Sequence, residues 1–306
     1  MTPVISIGNQ GFDSIREENS FYIDKTTFIW KWWESKDVIT LITRPRRFGK
    51  TLNMSMLNCF FSNQYKNRAD LFEGLAVWKE ESYRLLQGSY PVIFLSFASV
   101  KADNFTDARN QVIDAVNEAY RMQEELVESD RLTDGEKAVF AQLDHYTKNG
   151  SCEKKISNDI VCGALRTLSG CLYRFYGKKV LLLLDEYDTP MQEAYVNGYW
   201  KEFSAFIRSM FNLTFKTNPY LERAMMTGIT RVSKESIFSD LNNLTVITTT
   251  SDRYADCFGF TEQEVFDALD TFGLSEQKAL IKTWYYGFAF EGKKVQIGSD
   301  LEDGIK

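Results

Sequence analysis

The 306-residue sequence is poor in the residues on which several chemistries depend. It holds one histidine, His145, and five cysteines, Cys59, Cys152, Cys162, Cys171 and Cys257, with no C-x-x-C pair among them. A zinc or haem centre is therefore not expected, and the cysteines read as reduced packing thiols. Prolines number only five, and 44% of the residues are hydrophobic against 25% charged, which excludes a disordered chain and leaves room for one large core or two smaller ones. No apolar run approaches the ~20 residues of a membrane span. The first thirty residues are broken by Asp13, Arg16, Glu17, Glu18, Asp24 and Lys25, so no secretory leader is read there. A cytoplasmic location without a membrane partner is the expectation. An excess of positive charge is also missing. The net charge of -6 and pI near 5.2 exclude a surface built wholly for nucleic acid and leave only a local basic patch.

What is present is an alternation of short apolar runs with helical periodicity. "VITLIT" (38–43), "PVIFLSF" (91–97), "KVLLLLD" (179–185), "RAMMTGIT" (223–230) and "LTVITTT" (244–250) read as strands, and their continuous apolar character suits parallel strands covered on both faces. Leu52, Met56 and Phe60, and later Ile156, Ile160, Leu165, Leu168, Leu172 and Phe175, have helical spacing. Strands alternating with helices predict a βαβ sheet. The polar stretch 101–150, with Val112, Val116 and Tyr120 in helical register, predicts an inserted helical pair or lid. Beyond Thr261 two helices are expected, the first opened by a capping box of Thr261 and Glu264.

The stretch "LITRPRRFGKTLNMS" (41–55) places Gly49, Lys50 and Thr51 directly after a strand and directly before a helix. A phosphate-binding loop needs that context. Backbone N–H groups converge on phosphate oxygens, a lysine reaches the terminal phosphates, and a hydroxyl at the helix start meets magnesium. The pattern G-x-x-x-x-G-K-[ST] is incomplete, because Arg44 stands at the first glycine and Pro45 can donate no hydrogen bond. The candidate phosphate contacts are Arg46, Arg47, Phe48, Gly49, Lys50, Thr51 and Leu52. The competing reading is a basic turn in which Arg44, Arg46 and Arg47 meet solvent or nucleic acid.

A second element favours the loop. In "KKVLLLLDEYDTP" (178–190) four leucines end in Asp185 and Glu186. An aspartate at the end of a neighbouring strand holds magnesium in P-loop NTPases, and an adjacent carboxylate accepts a proton from the attacking water. Thr51 and Asp185 are thus the candidate metal ligands and Glu186 the candidate base. Asp188 reads as structural. A third strand end follows Met226. In NTPases with a strand inserted between the loop strand and the acidic strand, a polar residue here contacts the γ-phosphate or the water, a task for Thr227 and, less well, Thr230. Arg231 is a candidate to stabilise charge on the transferred phosphoryl group, with a simple ion pair as its alternative.

With "FYIDKTTFI" (21–29), "RPRRFGKT" (44–51), "LLLLDEYDTP" (181–190), "TGITRVSKESIFSDLNNL" (227–244) and "FGFTEQEV" (258–265), the chain resembles the AAA-ATPase-like proteins, bacterial P-loop NTPases of the additional-strand catalytic-glutamate class. The resemblance runs along nearly the whole chain and carries R-P-R-R-F-G-K as its own form of the loop. It implies a nucleotide-switched regulatory ATPase using ATP and Mg2+, commonly followed by a restriction-endonuclease-like domain. That domain is not expected after "WYYGFAFEGKKVQIG", where Tyr286 also departs from the acidic or amide residue of the pattern.

The resulting expectation is an α/β, three-layer P-loop NTPase with a mostly parallel sheet. An NTPase domain over 1–250 carries the helical insert near 101–150, and a small helical segment covers 251–306. Phe12, Ile15 and Tyr22 either wall an adenine pocket or belong to a small core. Asp24 and Lys25 have no derived role. ATP is preferred to GTP only because no N-K-x-D guanine signature occurs. Two alternatives stay open beside hydrolysis: an ATP-binding switch or scaffold without turnover, and a nucleic-acid-associated protein. A protein partner or a homo-oligomer is also left open.

Overall fold

The computed structural model describes residues 4–149, 156–230, 237–238, 240–284, 288–290 and 293–296. In chain order its elements are α1 (Phe12–Glu17), α2 (Thr27–Ser35), β1 (Ile39–Thr43), α3 (Lys50–Phe61), α4 (Glu81–Arg84), β2 (Val92–Ser96), α5 (Phe105–Arg121), α6 (Asp134–Asn149), α7 (Asn158–Tyr176) and β3 (Val180–Asp185). They continue with α8 (Thr189–Val196), α9 (Trp200–Phe211), β4 (Leu221–Gly228), β5 (Leu244–Ile247), β6 (Phe260–Thr261), α10 (Glu262–Thr271), α11 (Lys278–Trp284), β7 (Phe288–Phe290) and β8 (Lys293–Gln296). Two compact units emerge, one of Asp37–Ile42 and Tyr90–Val246, the other of Met1–Lys36, Thr43–Ser89 and Ile247–Lys306. Neither is a single stretch of chain.

The first of these units carries a five-stranded sheet in the order β2-β3-β4-β1-β5. β2 and β3 are parallel, as are β3 and β4, and the sheet is mostly parallel, an α/β arrangement of the P-loop NTPase kind. All six residues of β3 are buried. Val180, Leu182 and Leu184 join a core with α5, α7 and α9, while Leu181 and Leu183 on the opposite face are equally buried. That explains why the leucine run does not alternate with polar residues.

Local chemistry sets the helix ends. Asn104 caps α5 by accepting from the Asp107 N–H at 3.0 Å, and Ser157 caps α7 from the Ile160 N–H at 3.4 Å. Gly177 closes α7 in the left-handed region at φ 68°. The expected helical pair consists of α5 and α6. Its apolar side belongs to the core, with Ala108, Val112, Ile113, Val116 and Tyr120 buried and the Tyr120 and Phe140 rings edge to face at 4.5 Å. The pair is therefore part of the packed body rather than a separate lid.

In the other unit, α10 begins with the expected capping box, in which the Thr261 hydroxyl accepts from the Glu264 N–H and the Glu264 carboxylate from the Thr261 N–H. The carboxy-terminal part is not purely helical. β6 pairs with β8 and β7 with β8, all antiparallel, in a small sheet of order β6-β8-β7. The runs involved are only two to four residues long, too short to show a period of two. Cys59, Cys162, Cys171 and Cys257 are free and buried, as expected of packing thiols, and Cys152 lies outside the described residues. No described helix is long and apolar enough to cross a membrane.

Candidate functional site

The loop follows β1 and ends at α3, whose first residue is Lys50. Arg47 and Gly49 have left-handed backbones, φ 67° and 71°. Left-handed residues in such a turn bring successive N–H groups round to one concave side, the geometry of an anion nest. A Cβ on Gly49 would meet nothing within 4 Å, so glycine is needed there for its backbone conformation and not for space. The first turn of α3, at Lys50, Thr51 and Leu52, continues the loop in the direction of the helix axis, where main-chain N–H groups of a helix start point.

Lys50 is only 5% exposed. Its Nζ donates to the carbonyls of Arg44 at 3.1 Å and Pro45 at 2.9 Å, so the ammonium is held against the start of the loop. Phe48 is buried, and its carbonyl accepts from the Gly259 N–H at 3.0 Å. Arg46 and Arg47 are exposed, and Thr51 and Leu52 half-buried.

Arg44 corrects one expectation. The basic-turn reading counted it as a surface residue, yet it is 1% exposed. Its Nη1 donates to the carbonyls of Thr43 at 3.0 Å and Thr248 at 2.6 Å, and its guanidinium lies 5.7 Å from the Phe258 ring centre. Burial lowers its pKa to about 10, which leaves it charged at neutral pH. The nucleic-acid alternative thereby loses one of its three arginines.

The acidic strand end is built on β3 and β4. β4 stands between β1 and β3, the place expected for the inserted strand. Leu184 is in register with Met226, which sets Asp185 beside Thr227. Both are buried. The Thr227 hydroxyl donates to Asp185 Oδ1 and accepts from the Glu186 N–H at 3.4 Å. One side chain on β4 thus contacts both acidic positions.

Glu186 has φ 51°, a left-handed backbone that glutamate rarely adopts. Such residues cost of order 1–3 kcal/mol and cluster at functional sites. Its Oε2 accepts from the Thr189 hydroxyl at 3.0 Å, a partner that sequence reading did not single out. The only available signal was the spacing of three residues across the turn into α8.

Asp188 has the structural role expected of it, in a form the sequence did not reveal. It occupies the N-cap position of α8 without capping it. Instead its Oδ2 accepts from the N–H groups of Ile229 at 3.0 Å and Thr230 at 2.8 Å, the Thr230 hydroxyl at 2.9 Å and Gln192 Nε2 at 3.0 Å. The end of β4 is thereby fastened to the loop that carries Glu186. A Cβ on Gly228 would lie 2.6 Å from Asp188 Oδ1, so this close approach needs glycine. The Thr230 hydroxyl, the weaker phosphate candidate, is already engaged by Asp188. Arg231 lies outside the described residues.

The amino-terminal motif serves as a clasp. Asp24 accepts from the Thr26 N–H and hydroxyl, at 2.8 and 2.6 Å, and from the Ala76 N–H at 2.7 Å. Lys25 Nζ meets both oxygens of Glu264 at 2.7 Å and the Asp256 carbonyl at 2.8 Å. Phe12 is fully buried, stacked on Phe72 at 5.0 Å and edge to face with Tyr22 at 5.5 Å, which makes it a core residue. The Tyr22 hydroxyl donates to Met56 Sδ at 3.4 Å and accepts from the Lys25 N–H at 3.2 Å, and burial raises its pKa.

An uncharacterized protein in the vnfD 5′ region of Azotobacter chroococcum mcd 1 is 27% identical over 302 residues, 97% of this chain and 51% of that protein. The chain thus spans about half the length of this relative. No solved structure matches. The family described as Predicted AAA-ATPase matches residues 6–238, a span that includes the loop, the acidic strand end and Thr227. The chain belongs to this predicted AAA-ATPase family.

Proposed function

We propose that the chain is a magnesium-dependent ATPase. The observation that carries the reading is the linkage of Asp185, Thr227 and Glu186 at the ends of two adjacent strands, with the strand that feeds the Gly49-Lys50-Thr51 loop next in the sheet. Main-chain donors of 46–51 and the Lys50 ammonium hold the β and γ phosphates. Lys50 exchanges the carbonyls of Arg44 and Pro45 for phosphate oxygens.

The donor chemistry fits magnesium. Thr51 and Asp185 supply hard oxygen atoms, and Mg2+ is held by one or two protein oxygens together with phosphates rather than by a cage of side chains. Among the described residues no cluster of three His, Cys, Asp or Glu could hold a metal, and such a site needs none. When bound, the ion would neutralise charge on the β and γ phosphates. Thr227 orients the Asp185 carboxylate and fixes the Glu186 main chain. Glu186 then takes the proton of the attacking water, as a base within hydrogen-bond reach must. Adenine is preferred to guanine on sequence grounds alone.

Phosphate release is the test. Glu186→Gln keeps the size and hydrogen-bonding reach of the side chain but accepts no proton. It should bind ATP with parental affinity and turn over roughly 100-fold or more slowly. Turnover at the parental rate removes Glu186 as the base, and binding without release in either protein supports a switch instead of an enzyme.

A further inference from the structure

Arg44 replaces the first glycine of the usual loop pattern, and its side chain turns inward onto the 248–259 segment. We propose that Arg44 is a positioning residue that fastens the phosphate loop to residues 248–259, so that phosphate entry is felt in that segment. This rests on the nucleotide reading above.

Three ties connect the two at successive points. At the loop entrance Arg44 Nη1 donates to the Thr248 carbonyl at 2.6 Å. Near the tip the Phe48 carbonyl accepts from the Gly259 N–H at 3.0 Å. In the first turns of α3, Asn53 Nδ2 donates to the Cys257 carbonyl at 2.8 Å. A buried cation is an expensive way to fill space, since desolvation opposes it and a Met of similar length would pack as well. Arg44 differs from such a filler in joining two backbone carbonyls distant in sequence, Thr43 and Thr248.

The same residue is tied to the lysine that must move. Lys50 Nζ rests on the carbonyls of Arg44 and Pro45. When it leaves them for phosphate, the peptide groups at 44 and 45 lose a charged donor and resettle, while the Arg44 guanidinium stays attached to Thr248. The segment is held further along by Lys25 on the Asp256 carbonyl at 2.8 Å and Lys31 on the Asp256 carboxylate at 2.8 Å. Between its ends lies Tyr254, with φ 61°, a strained backbone for a non-glycine residue and the natural point of yielding.

Hydrogen exchange on the full chain, with and without Mg·ATP, tests the coupling after a calorimetric titration has measured Kd. With nucleotide near ten times Kd, exchange at 46–51 and at 248–259 should slow by about tenfold in the parental protein. Arg44→Met should still bind, within roughly tenfold of parental affinity, and keep the loop response while losing the response at 248–259. Arg44→Lys retains charge and a donor without the planar fork, and should restore part of it. A purely structural arginine would change both responses or neither. The proposal is overturned if saturating Mg·ATP leaves 248–259 unchanged in the parental protein, a result that needs no variant to fold, or if Arg44→Met keeps the full response there. Failure of the titration itself would instead reject nucleotide binding, and the coupling with it.

Discussion

At the scale of single residues, the acidic strand end is arranged by hydrogen bonds that can be removed one at a time. Asp188, itself buried, accepts from the N–H groups of half-buried Ile229 and exposed Thr230. Asp188→Ala removes the charged acceptor from both donors, and because Thr230 is exposed and can turn to water the expected loss is roughly 1–3 kcal/mol, measurable by urea unfolding. A loss within 0.5 kcal/mol would show that the carboxylate does not hold β4. Lys50→Ala should abolish detectable ATP binding and leave the urea midpoint much less affected. Asp185 and Glu186 were legible in the sequence because an apolar run that ends abruptly in acid marks the edge of a buried strand. The role of Asp188 was not, because its main-chain partners lie 41 and 42 residues further on. Arg44 misled for a physical reason: arginine is ordinarily exposed, and nothing local announces that two carbonyls and a ring will take it in.

At the scale of elements, the strands were legible and the small carboxy-terminal sheet was not. β3 shows itself as a leucine run because both faces are buried, whereas β7 and β8 have three and four residues and no period to detect. The start of α10 was readable from Thr261 and Glu264, since a capping box is a local motif. Thr261→Ala should cost about 1 kcal/mol and be visible as faster amide exchange in the first turn of α10. Glu264 serves a second purpose that no local pattern reveals, as the partner of Lys25. Lys25→Met breaks that pair, and because Glu264 is 26% exposed the loss should be about 1–2 kcal/mol rather than that of a fully buried pair. Combining Lys25→Met with Glu264→Gln should cost less than the sum of the single changes.

At the scale of the whole molecule, the compact units are assembled from separated stretches of chain. Composition changes little along the sequence, so the grouping of Ile247–Lys306 with Met1–Lys36 and Thr43–Ser89 leaves no compositional boundary to read. What composition did convey was negative charge, few metal-binding side chains and a chain rich enough in apolar residues to fold. A ligand that binds only the folded protein stabilises it by mass action, by about 2.7 kcal/mol at 100 times Kd. For a chain of this size the melting temperature should rise by about 5 °C with Mg·ATP, and chelation of the metal should remove most of the rise.

The central claim is that the loop entering α3 grips a triphosphate together with a divalent ion. Calorimetric titration of ATP into the parental protein and Lys50→Ala, each with magnesium and with chelator, tests it most directly. One saturable site is predicted in the parental protein, strengthened by magnesium and lost in Lys50→Ala. Equal binding by the two proteins, or none by the parental protein at millimolar ATP with magnesium, would contradict it.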